Sequence, residues 1–354
     1  MDNLRIDSHK LIFHVSRVND WLRGKTIYPL YLEIGLYGGC NHRCIFCAFD
    51  YLDYTLQMQD QRCLQRFLTE AAGRGVKSVL YSGEGEPLLH PAAPQIIAFT
   101  RNAGLDAALV TNGAFFSPSK AKILLKNLTW VKFSIDAATR NTYAAIHGTT
   151  PEDFDRVLVN VKEALRIRNR YGYACTIGSQ FLLMPQNQRE ALPFVRRMKS
   201  LGLDYAVVKP YCQHPQSFHS LKGRFDYKHF FPLEEKLSGM NSKRFSAVFR
   251  RNAMQKVKGP KPYRRCFGLD FAAHITANGD VYPCNVFVGK RQFIYGNICR
   301  APFRKIWEGR QRRQVLTNIE RSWDLGRCRD VCRLDEINRY LWELKNPGRH
   351  VNFI

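Results

Sequence analysis

Short apolar runs alternate with longer stretches of helical spacing from Tyr31 to about Tyr211. The apolar runs predict strands at 31–36, 77–82, 106–111, 130–136, 174–183 and 204–209. Helices are predicted between them at 59–73, 117–128, 153–170 and 188–201, with Ser117 and Pro118 giving one a clear start. Strands that alternate with helices form parallel βαβ units with right-handed crossovers. Six units make an α/β protein built on an open, partial (β/α)6 TIM-like barrel. Ligands in such barrels collect where the C-terminal ends of the strands meet their loops.

The polar motifs fall at those ends. Cys40, Cys44 and Cys47 follow the first strand in a C-x3-C-x2-C run, and Ser-Gly-Glu-Gly-Glu-Pro at 82–87 follows the second. Thr-Asn-Gly at 111–113 follows the third, Ser134 and Asp136 close the fourth, and Lys209 ends the sixth. Five polar loops on one rim predict an active site. Beyond the barrel, 275–282 reads as a β-hairpin around an Asn-Gly-Asp turn. The expected division is an N-terminal segment at 1–26, the barrel at 27–235 and a small α+β domain at 236–354.

Charge and cysteine content narrow the chemistry. Eleven cysteines include two spaced groups, Cys40/Cys44/Cys47 and Cys266/Cys284/Cys328/Cys332. Nothing in the chain signals secretion, so metal ligation is favoured over disulfides, and Cys63, Cys175, Cys212 and Cys299 read as small buried hydrophobes. The N-terminus lacks the apolar stretch of a signal peptide, and no run reaches membrane-spanning length, so a cytoplasmic protein is expected. A net charge of +24 favours anionic partners. Much of it lies in a basic segment at 243–265 (Lys243 and Lys258 among its residues) and at Arg310, Arg312 and Arg313. RNA-binding signatures are absent, and nucleic acid is not expected as a partner.

Three thiolates on one loop hold three corners of a four-iron cluster and leave one iron open. This arrangement resembles the radical S-adenosylmethionine (SAM) superfamily, in which SAM chelates the open iron. The resemblance implies that Cys40, Cys44 and Cys47 bind the first 4Fe-4S cluster. It also implies that Gly83, Gly85 and Glu86 meet SAM's ammonium, that Phe46 and Phe49 cover adenine and cluster, and that Ser134 and Asp136 lie near SAM's carboxylate or ribose. Cys266-x12-Gly279-x4-Cys284, then Cys328-x3-Cys332, resembles the SPASM/twitch extension and implies one auxiliary 4Fe-4S cluster. The spacing is similar to that of 2-deoxy-scyllo-inosamine dehydrogenase-type twitch enzymes, although the final C-x3-C departs from it. Zinc is the other occupant that four thiolates allow.

The implied activity is that of a radical SAM oxidoreductase. SAM is cleaved to a 5′-deoxyadenosyl radical, hydrogen is taken from a small polar, anionic substrate (sugar, cyclitol or nucleotide-like), and an electron passes to the auxiliary cluster. A flavodoxin- or ferredoxin-type donor would supply the first electron. Lys209, His214 and His219 are the candidate bases near the substrate. The alternative is a peptide-modifying radical SAM enzyme. Such enzymes often carry an N-terminal winged-helix domain, and the roughly 25 residues before the first strand are too few for one.

Overall fold

The computed structural model describes residues 4–220, 225–257 and 259–353, so Lys258 of the basic segment lies outside the described residues. The strands are β1 (Tyr31–Ile34), β2 (Ser78–Tyr81), β3 (Asp106–Thr111), β4 (Trp130–Ser134), β5 (Thr176–Leu183), β6 (Tyr205–Pro210), β7 (Ser246–Phe249), β8 (Ala272–Ile275), β9 (Asp280–Tyr282) and β10 (Gly296–Asn297). They form one sheet in the order β10-β9-β8-β1-β2-β3-β4-β5-β6-β7. Pairing is parallel from β8 through β1 to β7, and β9 and β10 add antiparallel. All six expected strands are present, and the Asn-Gly-Asp hairpin forms between β8 and β9.

The sheet does not stop at the expected boundary near 235. The run Ser-Ala-Val-Phe inside the basic segment becomes β7 beside β6, and β8 pairs with β1 on the opposite edge. The C-terminal region is thus fused to the barrel through backbone hydrogen bonds. The four expected helices appear at Gln61–Gly73, Pro118–Asn127, Pro151–Tyr171 and Ala191–Leu201, joined by Ala93–Asn102 and Arg140–His147. Asp60 caps the first of these, its carboxylate accepting from the Cys63 amide at 2.6 Å.

Period-2 alternation divides each strand between two environments. Leu32 and Ile34 of β1, Val131 and Phe133 of β4, and Ala206 and Val208 of β6 join the core under the helices. Their neighbours Glu33, Lys132, Ser134 and Lys209 occupy the other face, the inside of the barrel. Lys132, Ser134 and Lys209 stay partly exposed there despite lying mid-sheet. Two cysteines read as lone hydrophobes are in fact joined. A Cys63–Cys299 disulfide ties the helix Gln61–Gly73 to the turn after β10. The residues are 236 apart, so no sequence signal pairs them.

Candidate functional site

The cysteine loop leaves β1 and is held by its neighbours through main-chain contacts. Arg43 N donates to His147 O and Ile45 N to Ile146 O, so the loop lies across the C-terminal end of the helix Arg140–His147. Gly148 ends that helix at φ +56°, and a Cβ there would sit 2.3 Å from Arg43 O. Amides also face the sulfurs: His42 N lies 3.4 Å from Cys40 Sγ, and Phe49 N lies 3.4 Å from Cys47 Sγ. Burial pushes the Cys40 thiol up to about 12, helped by Glu86, and raises Cys44 and Cys47 as well. Desolvated thiols of this kind ionise when a cation compensates them, which is the chemistry of a metal-cluster donor set.

The Gly83–Glu86 loop packs closely against the cysteine loop. A Cβ on Gly85 would lie 2.1 Å from Gly39 O and 2.5 Å from Tyr37 O. The space beside Gly85 is therefore filled by the cysteine loop's own backbone, and Glu86 N donates to Gly39 O at 3.0 Å. Gly83, at φ +131°, packs over Gly35. The buried Glu86 carboxylate accepts from Leu88 N, Thr111 Oγ1 and Asn112 N. Three of its four acceptor positions are spent bracing β2 against β3, which leaves one for an ammonium.

Asp136 closes β4 at φ +56° and is completely buried. Its Oδ1 accepts from Leu182 N at 2.6 Å, and its carbonyl accepts from Asn187 Nδ2 at 2.7 Å. Oδ2 has no hydrogen-bond partner, and burial raises the carboxyl to about 7. Ser134 Oγ accepts from Gln180 Nε2 at 3.3 Å on the partly exposed inner face. Phe46 packs edge-on to His147 with centroids 5.4 Å apart. Phe49 is buried in the core among Tyr51, His214 and His274.

His214 lies inside the fold rather than on a surface loop. It is buried and stacked on Tyr51 at 5.3 Å; Nδ1 accepts from Gln216 N, while Nε2–H donates to Asn285 O. Burial, assisted by Arg329, lowers it to about 4. With both nitrogens engaged in this structure, it has no lone pair free to take a proton. The 211–219 stretch is held against the segment after β9 and the cysteine loop, because Gln216 donates to Val286 O and Val288 O, and Ser217 donates to Cys47 O. His219 is exposed, and its amide donates to Asp50 Oδ2. Lys209 does reach the barrel interior, where burial and the neighbouring Lys132 lower its ammonium well below the usual range.

Several site residues carried no local signal. His147 Nδ1 lies 3.3 Å from Cys44 Sγ while its Nε2–H donates to Ile135 O. His42 Nε2 lies 3.2 Å from Asp153 Oδ2. Tyr143 stacks on His147, and its buried hydroxyl has no partner. His42 lies inside the cysteine run, where its position was legible; the others sit about a hundred residues away. Unpartnered Asp136 Oδ2, Tyr143 Oη and His42 Nδ1 surround the loop, as they would around a polar cofactor.

Cys266, Cys284, Cys328 and Cys332 come together near the hairpin. Burial raises all four thiols; Cys266 and Cys284 rise further through Cys332 and Cys328, and Cys332 through Cys328. Trp323 Nε1 donates to Cys328 Sγ at 3.0 Å and Asn338 Nδ2 to Cys266 Sγ at 3.3 Å. Thiolates bound to one zinc at ~2.3 Å would lie within roughly 4 Å of each other. Among the described residues, only His42, Cys44 and His147 form a group of three or more such side chains whose ligand atoms all lie within 4.8 Å of one another.

Residues 34–191 match the radical SAM superfamily, and residues 266–333 match the SPASM iron-sulfur cluster-binding domain. A probable GTP 3′,8-cyclase of Saccharolobus solfataricus is 27% identical over 49% of this chain, which spans about half (54%) of that relative. An AdoMet-dependent heme synthase of Methanosarcina barkeri is 23% identical over 88% of this chain and 90% of its own. Streptococcus suis SuiB bound to SAM shares the fold, with a TM-score of 0.68 at 17% identity over 95% of this chain and 79% of its own. Each matched region contains one of the two cysteine groups, and the fold that joins them is shared along nearly the whole chain. The chain carries a radical SAM domain and a SPASM domain, and together these imply SAM and 4Fe-4S clusters as its cofactors.

Proposed function

We propose that the protein is a radical SAM oxidoreductase whose small polar, anionic substrate lies inside the barrel and whose C-terminal cluster accepts the departing electron. One observation carries this reading: the loop holding Cys328 and Cys332 also forms part of the barrel wall. Arg333, next to Cys332, donates to Tyr31 Oη and to Glu33 Oε2 of β1, while Arg329 donates to Cys212 O beyond β6. The second cysteine group is thereby fastened to the chamber whose rim carries the first. Bound SAM and its cluster would supply hydrogen-atom abstraction, and the second cluster a one-electron sink.

The chain's own residues bind and enclose. Cys40, Cys44 and Cys47 would hold the SAM-binding cluster, and Cys266, Cys284, Cys328 and Cys332 the auxiliary one. Glu86 and Asp136 lock the loops after β2 and β4, and Ser134 with Gln180 offers polar contacts at the chamber's upper edge. Lys209 faces the substrate. A flavodoxin- or ferredoxin-type donor and a cytoplasmic location belong to this reading; among the described residues no helix is long and apolar enough to cross a membrane. The name of the Saccharolobus relative, with GTP as a small polyanion, supports the substrate class. A peptide substrate is the second reading, supported by the SuiB structure with precursor peptide SuiA.

The test is to change Cys284 and Cys332 to Ala and to follow SAM cleavage and product together in extracts supplied with cellular metabolites. SAM cleavage should persist while oxidised product disappears. Soluble variant protein that forms product at the full rate would overturn the electron-accepting role.

A further inference from the structure

The barrel interior holds more positive charge than its own acids balance. Lys132 on β4 and Lys209 on β6 face inward, and Arg250, Arg329 and Arg333 surround them. Arg333 is paired with Glu33 at 2.7 Å, and Arg250 with Asp7 at 3.0 Å. Neither lysine ammonium has a hydrogen bond or ion pair among the described residues; Lys132 only overlies the Trp130 ring at 6.0 Å. Arg329 donates through one Nη to Cys212 O, but its buried Nε has no partner. Asp136 is the remaining acid near the lysines; its Oδ2 accepts no hydrogen bond, and its nearest printed partner is His147 Nε2 at 3.7 Å. Counted at formal charge, three cations without an ion-pair partner face one carboxylate.

This surplus is not a solvated surface feature. Lys132 and Lys209 lie mid-sheet and are only partly exposed, and the Arg329 Nε near Lys209 is buried without a partner. Repulsion among grouped cations disfavours their charged forms. Burial together with Arg333 and Arg250 lowers Lys132 to about 8, and burial with Lys132 and Arg250 lowers Lys209 further. Asp136 and Glu33 oppose this without cancelling it. An entering dianion would satisfy the unpaired donors and restore the lysines' charge.

We infer that Lys132, Lys209 and Arg329 form a binding site for a dianionic group of the substrate, a phosphate monoester or a pair of carboxylates. The inference rests on the proposed function, which places substrate inside the barrel, and it adds the residues and the charge. Because Arg329 directly follows Cys328, a substrate held there lies against the auxiliary-cluster loop. A dianion anchored by Arg329 is thus placed beside its electron acceptor.

The experiment is anaerobic titration calorimetry of the reconstituted protein at low salt with inorganic phosphate, succinate and acetate. At least one of the two dianions should bind, and acetate should bind at least about tenfold more weakly. Phosphate binding without succinate binding identifies a phosphoryl group, and the reverse identifies a dicarboxylate. Lys132→Met and Lys209→Met should each weaken the dianion about tenfold or more, with iron content unchanged, and Lys209→Arg should restore most of the affinity. Equal dianion affinity in wild type and both Met variants, or acetate as tight as either dianion, would overturn the site. Dianion binding that obeys this pattern in a protein unable to cleave SAM would instead contradict the enzymatic reading and leave the anion site standing.

Discussion

Replacing Gly85 by Ala tests the interlock between the two glycine-rich loops. The added Cβ would stand 2.1 Å from Gly39 O, 2.5 Å from Tyr37 O and 2.8 Å from Gly38 C. All three are backbone atoms, so no side chain can swing away, and the cysteine loop must retreat by about 1 Å to restore ordinary contact. Overpacking of this kind costs about 1–3 kcal/mol. The 3.0 Å bond from Glu86 N to Gly39 O breaks with the shift, adding about 1 kcal/mol. A loss of about 2–4 kcal/mol is expected, with Cys40 displaced from the position shared with Cys44 and Cys47. The assay is urea unfolding of the apo protein, followed by anaerobic iron reconstitution. Gly85→Ala should lower the unfolding midpoint and retain only the auxiliary cluster's share of iron. Wild-type stability and full iron, with only SAM affinity lost, would refute the interlock and return Gly85 to a cofactor-facing role.

Two further outcomes follow from buried histidines. His274 lies 3.9 Å from both Glu33 and Glu84; burial acts to lower it, but the two carboxylates prevail and raise it to about 9. Its folded value exceeds the unfolded one near 6.5, so its contribution, on the order of 3 kcal/mol, is complete below pH 6.5 and is lost as pH rises through 9. Urea melts at pH 6.5 and 9.5 should show a smaller pH difference for His274→Gln than for wild type; an identical difference would refute the ion-pair assignment. His214→Gln should cost about 1–3 kcal/mol in stability, because a buried bonded ring is lost. The pH profile of SAM cleavage should be unchanged between pH 6 and 9, and disappearance of a limb in that range would restore His214 as a base.

The barrel and the two cysteine groups were legible because their signals are local. Strand–helix alternation appears within a few dozen residues, and each cysteine group has its own spacing. What was missed depends on distant pairing. β7 was hidden in a basic segment whose charge masks a four-residue strand, and the β8–β1 pairing joins positions more than two hundred residues apart. Lys132 read as one polar position in an apolar strand, and only closure of the barrel sets it near Lys209 and Arg333. His214 sits in a polar, proline-containing stretch that resembles surface, yet the segment after β9 covers it and takes its proton as a hydrogen bond. The acidic residue of the Gly-Glu-Gly-Glu motif suggested a ligand contact, whereas Glu86 is largely committed to three donors from the protein itself.

The most direct measurement is anaerobic reconstitution of wild type and of the Cys40/Cys44/Cys47→Ala triple variant, with iron counting and detection of 5′-deoxyadenosine after reduction in the presence of SAM. Wild type should hold about eight irons, as two four-iron clusters, and should cleave SAM. The triple variant should hold about four irons in the auxiliary site and cleave none. SAM cleavage by the triple variant, or a wild-type protein that never exceeds about four irons, would contradict two clusters serving one chamber.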